Sequence, residues 1–165
     1  MTHSLDPQLL ERPIRILVVG CGGNGSAIVS GLPYLHQAML AFGHPGGLQV
    51  TLIDPDTVSE TNCVRQPFCR TEIGFPKAIV LAHRINLFWG LNWQGMQAQI
   101  QQVAKNAALT RQEPFINQNL AYQALGMLTQ LLRHGYVSYQ GGFCNLVTGH
   151  LVPWAVGSPQ QNCRR

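Results

Sequence analysis

The sequence predicts an α/β fold, three layers built on a mainly parallel sheet with antiparallel hairpins near the C-terminal end. Three observations predict it. The apolar run Ile16, Leu17, Val18 and Val19 passes straight into a glycine cluster, the pattern of a buried parallel strand that turns sharply into a helix. A second apolar run over residues 48–53, LQVTLI, ends at Asp54 and Asp56, so it delivers polar residues to the sheet edge where ligand chemistry gathers in open α/β sheets. After each run, small and apolar residues recur at three- and four-residue steps, which fits helices packed on a sheet. The combination is a Rossmann-like alternation.

Composition narrows the function classes. At 165 residues, with 45% hydrophobic and 11% charged residues, the chain is expected to fold as one domain whose charge-poor surface is partly covered by a partner, a second copy by default. The net charge of +4 comes from scattered basic residues, with Arg164 and Arg165 the terminal cluster. That distribution argues against nucleic acid as the main partner, and a small anionic ligand accounts for it equally well. The five cysteines include no C-x-x-C pair, which excludes a zinc ribbon or thioredoxin-type motif, and no metal-ligand cluster is predicted; the odd count disfavours a secreted disulfide framework. No apolar stretch reaches the roughly 20 residues that span a bilayer, and the N-terminus lacks the pattern of a signal peptide. The expectation is a cytoplasmic protein with no membrane partner.

In chain order, residues 1–13 read as a polar leader broken at Pro7 and Pro13, with no identifiable chemistry. Gly20, Gly22 and Gly25 then stand in G-x-G-x-x-G spacing, with Gly23 between them. Such a loop turns tightly and brings backbone N–H groups against phosphate oxygens at the positive end of a helix. That helix is expected from near Gly25 to about Phe42, with Ala27, Ile28, Leu32, Leu35 and Met39 inward and a kink at Pro33. Residues 43–47 form a turn, and residues 48–53 the second strand. Asp54 is the candidate for a ribose diol, since a carboxylate accepts two hydroxyl hydrogen bonds; a plain strand-end turn at Asp54-Pro55-Asp56 is the alternative.

Residues 77–89 read as a helix with positions 79, 80, 83–84 and 87–88 toward the core, and with His83 and Trp89 as packing residues. Residues 96–103 alternate as a third, polar strand near a sheet edge. Thr110 and Glu113 have capping-box spacing and Pro114 suits a first turn, so residues 115–133 form the longest amphipathic helix, with Leu120, Leu125, Leu128, Leu131 and Leu132 buried. Asn117 and Asn119 are expected on its surface or between helices. From Tyr136 onward, turns at Gln140-Gly141-Gly142 and Thr148-Gly149 suggest hairpins that complete the sheet or an interface. Residues 157–165 are expected to be a mobile tail. Neither Cys144, in a strand, nor Cys163, in the tail, has the setting of a nucleophile.

The ordered set GxGGxGS, then DxDxVxxxNxxRQ over residues 54–66, then G-x-P-K ending at Lys77, resembles the ThiF/MoeB/HesA group of ubiquitin-activating-type adenylating enzymes. Within that group, HPGGLQVTLIDPDTVSETN and HRINLFWGLNW are similar to ThiF-family proteins of the PRTRC plasmid-associated system. The resemblance resumes at FINQNLAYQALGMLTQLLRHG and GGFCNLVTGHLVP and covers most of residues 14–156. It implies an ATP site built from Gly20, Gly22, Gly23, Gly25, Asp54, Asp56, Asn62, Arg65, Gln66 and Lys77, with Arg65 and Lys77 as the catalytic cations. It also implies a homodimer and a ubiquitin-like or sulfur-carrier partner whose C-terminal carboxylate becomes an acyl-adenylate. The residues themselves agree: Arg65 is a planar fork suited to phosphate, Lys77 a compact charge at a helix start, and Asn62 and Gln66 are neutral amides.

Between residues 103 and 110 the chain departs from that pattern. There is no room for the further strand and crossover helix of family members, and with them go an Mg²⁺-holding aspartate and the segment that clamps the partner's tail or carries a reactive cysteine. Glu113 belongs to the expected capping box, and Arg12 and Arg15 lie too close to the first strand to act as an N-terminal arginine finger. Mg²⁺ would require Asp54, Asp56 or a second chain. Two other readings remain at this point: a degenerate member that keeps the scaffold for dimerisation or partner binding, and an NAD(P)-dependent oxidoreductase, for which the Arg65 and Lys77 motifs would be superfluous.

Overall fold

The computed structural model describes residues 3–99, 116–145 and 150–156. The capping box at Thr110 and Glu113, the end of the expected third strand, the Thr148-Gly149 turn, Cys163 and the tail lie outside these residues, as do the side chains of Asn117 and Cys144.

Strand β2 (Ile14–Val19), helix α1 (Gly23–Ala41) and strand β3 (Leu48–Ile53) form the first crossover unit, within a residue or two of the sequence expectation. The two strands pair in parallel from Ile14↔Leu48 to Val19↔Ile53. The short α2 (Asn62–Arg65) and then α3 (Lys77–Trp89) lead to β4 (Gln94–Met96), which pairs in parallel with β3. Sheet order is β2-β3-β4, so among the described residues the third strand lies at an edge, as its polarity suggests. It starts two residues earlier than its alternation implies. Asn86 fixes that start, its amide bonding both the N–H and the C=O of Trp93 at 2.8 Å, while the Trp93 indole N–H donates to Leu48 O at 3.3 Å.

Helices α1 and α3 cover one sheet face. Val50 and Leu52 of β3 are fully buried there, against Val29 and Leu32 of α1 and Ala78 and Leu81 of α3. The buried residues of α3 are Lys77, Ala78, Leu81, Ala82 and Ile85, a face rotated from the expected one; Ile79, Leu87 and Phe88 are exposed. The reason is visible in the sequence, which is apolar on both sides of this helix. His83 is exposed rather than packed, whereas Trp89 packs edge-on to Tyr34 and Phe88.

Helix α4 (Ile116–His134) lies along α1, so the layers stack as sheet, α1 with α3, then α4. Ala121 is buried and Leu125, Leu128 and Leu132 pack against the core, but Leu120 stays exposed. The opposite sheet face is bare among the described residues: Arg15, Leu17, Val19, Gln49 and Met96 are all exposed.

The terminal parts differ most from expectation. The leader contains β1 (His3–Ser4) and a 3-10 turn (Pro7–Leu10). β1 pairs antiparallel with β5 (Tyr136–Val137). Strands β6 (Tyr139–Asn145) and β7 (His150–Ala155) form the expected antiparallel hairpin, but as a separate two-stranded sheet. Gln140-Gly141-Gly142 runs through β6, with a bulge after Tyr139, instead of forming a turn. Glycine pairs signal a turn or a bulge equally well.

Candidate nucleotide site

The site is built where β2 ends. Gly20 has φ +88° and its N–H donates to Ile53 O at 2.7 Å, which turns the chain out of the sheet while keeping it tied to β3. Gly22 is the N-cap of α1 and supplies no side-chain cap. The helix therefore begins at Gly23, two residues earlier than expected, and the N–H groups of its first turn have no intrahelical partner. Gly25 is there for a close approach: a Cβ on it would stand 1.8 Å from Gly20 O. A Cβ on Gly22 would meet nothing within 4 Å, so the loop's outer side opens on free space. Unpaired N–H groups, a helix dipole and open space together make an anion cradle.

Asp54 organises the cradle from behind. It is 4% exposed; its Oδ2 accepts the Cys21 N–H and its Oδ1 the Asp56 N–H at 2.7 Å. Each oxygen keeps a lone pair for a hydroxyl donor, but the first duty of this carboxylate is to tie the glycine loop to the end of β3. The sequence pattern marks Asp54 without revealing this tie, because the donors are backbone groups. Cys21, which sequence reasoning passed over, sits in the motif's variable position and is fully buried. Burial and the neighbouring Asp54 carboxylate push its thiol up to about 12, against the counteracting charge of Lys77. It is an inert packing group.

Lys77 is the first residue of α3 and is 6% exposed. Its Nζ reaches Asp56 Oδ2 at 3.0 Å and its N–H donates to Asp56 O at 3.1 Å. Asp56 itself is mostly exposed. Gly20, Cys21, Asp54, Asp56 and Lys77 thus form one connected assembly, in which a mostly buried ammonium is held by an exposed carboxylate.

The other expected residues lie apart from it. The Asn62 side-chain oxygen accepts from both the N–H and the hydroxyl of Ser59, at 2.9 and 3.0 Å, so this amide closes a turn. Arg65 is exposed at the end of α2. With Gln66 it lines a cavity of about 370 Å³ bounded by Ala27, Ser30, Gln118 and Tyr122, separate from the glycine loop. Gln66 Oε1 is buried without a hydrogen-bond partner.

The glycine cradle and Lys77 fit a nucleotide phosphate chain, whereas Arg65 lies apart from them beside the separate cavity. The residues of the site do not fit a resident magnesium ion. Among the described residues no group of three His, Cys, Asp or Glu side chains comes together; both Asp54 oxygens accept backbone hydrogen bonds, and Asp56 is paired with Lys77. No described helix is long and apolar enough to cross a membrane.

Comparison with curated proteins finds no match. Among solved structures, the chain is similar to E. coli tRNA N6-threonylcarbamoyladenosine dehydratase, TcdA, in complex with AMP, with 32% identity over 55% of this chain and 34% of that chain at a TM-score of 0.40. A second TcdA structure gives 37% identity over 48% of this chain and 29% of that chain at a TM-score of 0.34. The chain spans about a third of the length of these enzymes. The ThiF family profile matches residues 6–118, from the leader through the glycine loop, the aspartate pair and Lys77 into α4, and the chain belongs to the ThiF family.

Proposed function

We propose that this chain binds ATP and acts as a ThiF-type adenylating protein. A carboxylate at the C-terminus of a ubiquitin-like or sulfur-carrier partner attacks the α-phosphorus, the bond to the β-phosphate bridging oxygen breaks, and acyl-adenylate and pyrophosphate result. The observation that carries this reading is the uncapped start of α1 beside the buried Lys77. The helix N-terminus holds phosphate oxygens, and Lys77, aimed by Asp56, neutralises charge that builds as the pyrophosphate leaves. Arg65, exposed at the end of α2, would have to swing toward the cradle to meet the phosphate chain, and Asp54 offers its remaining lone pairs to the ribose. Any Mg²⁺ would arrive with the nucleotide, since the described residues form no site for a resident ion. Operation in the cytoplasm within a homodimer, and kinship with the PRTRC-associated members, complete the proposal.

A second reading is favoured by one set of observations. Asp54 and Asn62 spend their side chains on structural hydrogen bonds, and the described residues hold no metal cluster. A scaffold that binds nucleotide or partner without turnover would look the same. ATP–pyrophosphate exchange with candidate ubiquitin-like proteins, run beside ATP binding with and without Mg²⁺, separates the two. Exchange that is lost in Lys77→Ala supports the enzyme; nucleotide or partner binding with no exchange and no Mg²⁺ dependence supports the scaffold.

A further inference from the structure

Val19, Ile53 and Met96 form one row across the sheet, Val19 in register with Ile53 and Ile53 with Met96. All three strands end on that row, so the residues that follow, Gly20, Asp54 and Gln97, emerge in line along the sheet edge. Main-chain bonds hold the line together: Gly20 N–H donates to Ile53 O at 2.7 Å, and Asp54 N–H to Met96 O at 3.2 Å. Gln97 thus stands two strand spacings, about 10 Å, from the glycine loop, with Asp54 between them.

The carboxylates near this line are engaged. Asp54 accepts the Cys21 and Asp56 N–H groups, and Asp56 holds Lys77. Gln97 is differently placed, because its Nε2 donates to Pro55 O at 3.1 Å. A carbonyl oxygen only accepts, so this bond decides which end of the amide faces the turn. The NH₂ group lies on Pro55 and Oε1 is directed away from it. Oε1 makes no hydrogen bond to the described residues, and the second N–H of Nε2 is left over. The Pro55 ring fixes its own φ, so the amide rests on a stiff point and its donor and acceptor are ordered before any ligand arrives.

We infer that Gln97 reads the base of the bound nucleotide and selects a 6-aminopurine, a role that rests on the nucleotide reading of the glycine loop. The covalent order of a nucleotide is phosphate, ribose, base, and the order along the sheet edge is glycine loop, Asp54, Gln97. Adenine presents its 6-amino donor beside a ring-nitrogen acceptor. An amide that offers Oε1 and an N–H side by side is the complement, the same pairing by which glutamine reads adenine in nucleic acids. A 6-oxopurine instead sets an acceptor oxygen against Oε1. Turning the amide over to suit that oxygen would bring Oε1 against the Pro55 carbonyl and lose the anchoring bond. The anchor therefore penalises the wrong base as well as favouring the right one.

Titration calorimetry of the full chain with ATP and with ITP tests this without partner protein or turnover, since the base of ITP carries oxygen in place of the 6-amino group. The parent chain should bind ATP about tenfold or more tightly than ITP, the scale of one bidentate base contact. Gln97→Leu removes the amide at an exposed position. It should bring ATP down to the affinity of ITP, with ITP bound no more weakly than before and the unfolding midpoint unchanged. Gln97→Lys, whose side chain can only donate, should favour ITP over ATP. Equal binding of ATP and ITP by the parent chain would overturn the inference and leave the nucleotide reading standing. So would a preference for ATP that survives either substitution, because another group would then read the base. Binding of neither nucleotide would overturn the nucleotide reading itself, and base selection with it.

Discussion

Gly22 and Gly25 sit three residues apart in one motif and do different work. A Cβ on Gly25 would overlap Gly20 O, so Gly25→Ala must separate α1 from the end of β2, and a destabilisation of about 3 kcal/mol or more is expected by analogy with overpacked cores, read as a fall in the urea midpoint. A Cβ on Gly22 meets only open space, at φ −73° and ψ −156° that any residue adopts. Gly22→Val should therefore keep the unfolding midpoint while weakening ATP binding at least tenfold by calorimetry; unchanged binding would show that phosphate does not use this loop. Lys77→Met should likewise weaken ATP by about 1.5–3 kcal/mol, the scale of a charge-assisted hydrogen bond. At Cys21 the sign follows from the thiol. Folding raises its pKa from 9.0 to about 12, so the folded state holds the proton more tightly. Its stabilising contribution is full below pH 9 and is lost as pH rises toward 12. Cys21→Ala should show a shallower loss of stability than the parent chain over that window in denaturant titrations.

Elements were legible in proportion to how one-sided their patterns are. β2, β3 and α1 read well because continuous apolar runs beside glycines have few alternatives, and the ordered motifs located Asp54 and Lys77 at the correct element ends. The phase of α3 was not legible: Ile79, Leu87 and Phe88 are as apolar as Leu81 and Ile85, and only the position of β4 against this helix decides which side is buried. The Ser59 turn that takes up the Asn62 side-chain oxygen was not legible for a related cause, since spacing identifies the motif but not that local contact. The same limit applied to Gln66, whose unpartnered oxygen depends on where α1 and α4 meet α2. A long-range contact also decides the start of α3's neighbouring turn. Burial pushes the Glu72 carboxyl up, but bonds from the Arg84 guanidinium and the Cys69 N–H outweigh it and hold the carboxyl below its ordinary range. A depressed carboxyl contributes stability above its unfolded pKa and loses it as pH falls, so Glu72→Gln should reduce the acid sensitivity of the link between residues 70–72 and α3, measured by exchange of the Glu72 and Ile73 amides.

At the scale of the molecule, the chain's beginning is used to hold its later half. Sequence alone gave the leader no role, because two-residue strands carry no periodicity to read. In the fold, His3 and Ser4 pair with Val137 and Tyr136, and Leu5 N–H donates to Gly135 O at 2.7 Å, directly after α4. Leu9 packs on the core, and His44, between α1 and β3, bonds Leu9 O through Nε2 at 3.1 Å. The leader thus bridges the end of α4 and the turn before β3, two places that no other sheet connects among the described residues. Val137 is buried at this junction. Deleting residues 1–5 should expose it and remove the strand pairing while leaving the glycine loop, Asp54 and Lys77 in place. A loss of about 1–2 kcal/mol is expected from the hydrogen bonds and apolar cover removed, equivalent to a fall in Tm of roughly 2–8 °C for a domain of this size. Amide exchange should accelerate at Tyr136 and Val137 and stay unchanged at Leu52 and Ile53. ATP binding should survive the deletion, and a loss of binding equal to that of Lys77→Met would mean that the leader reaches the nucleotide site instead of bracing the helices behind it.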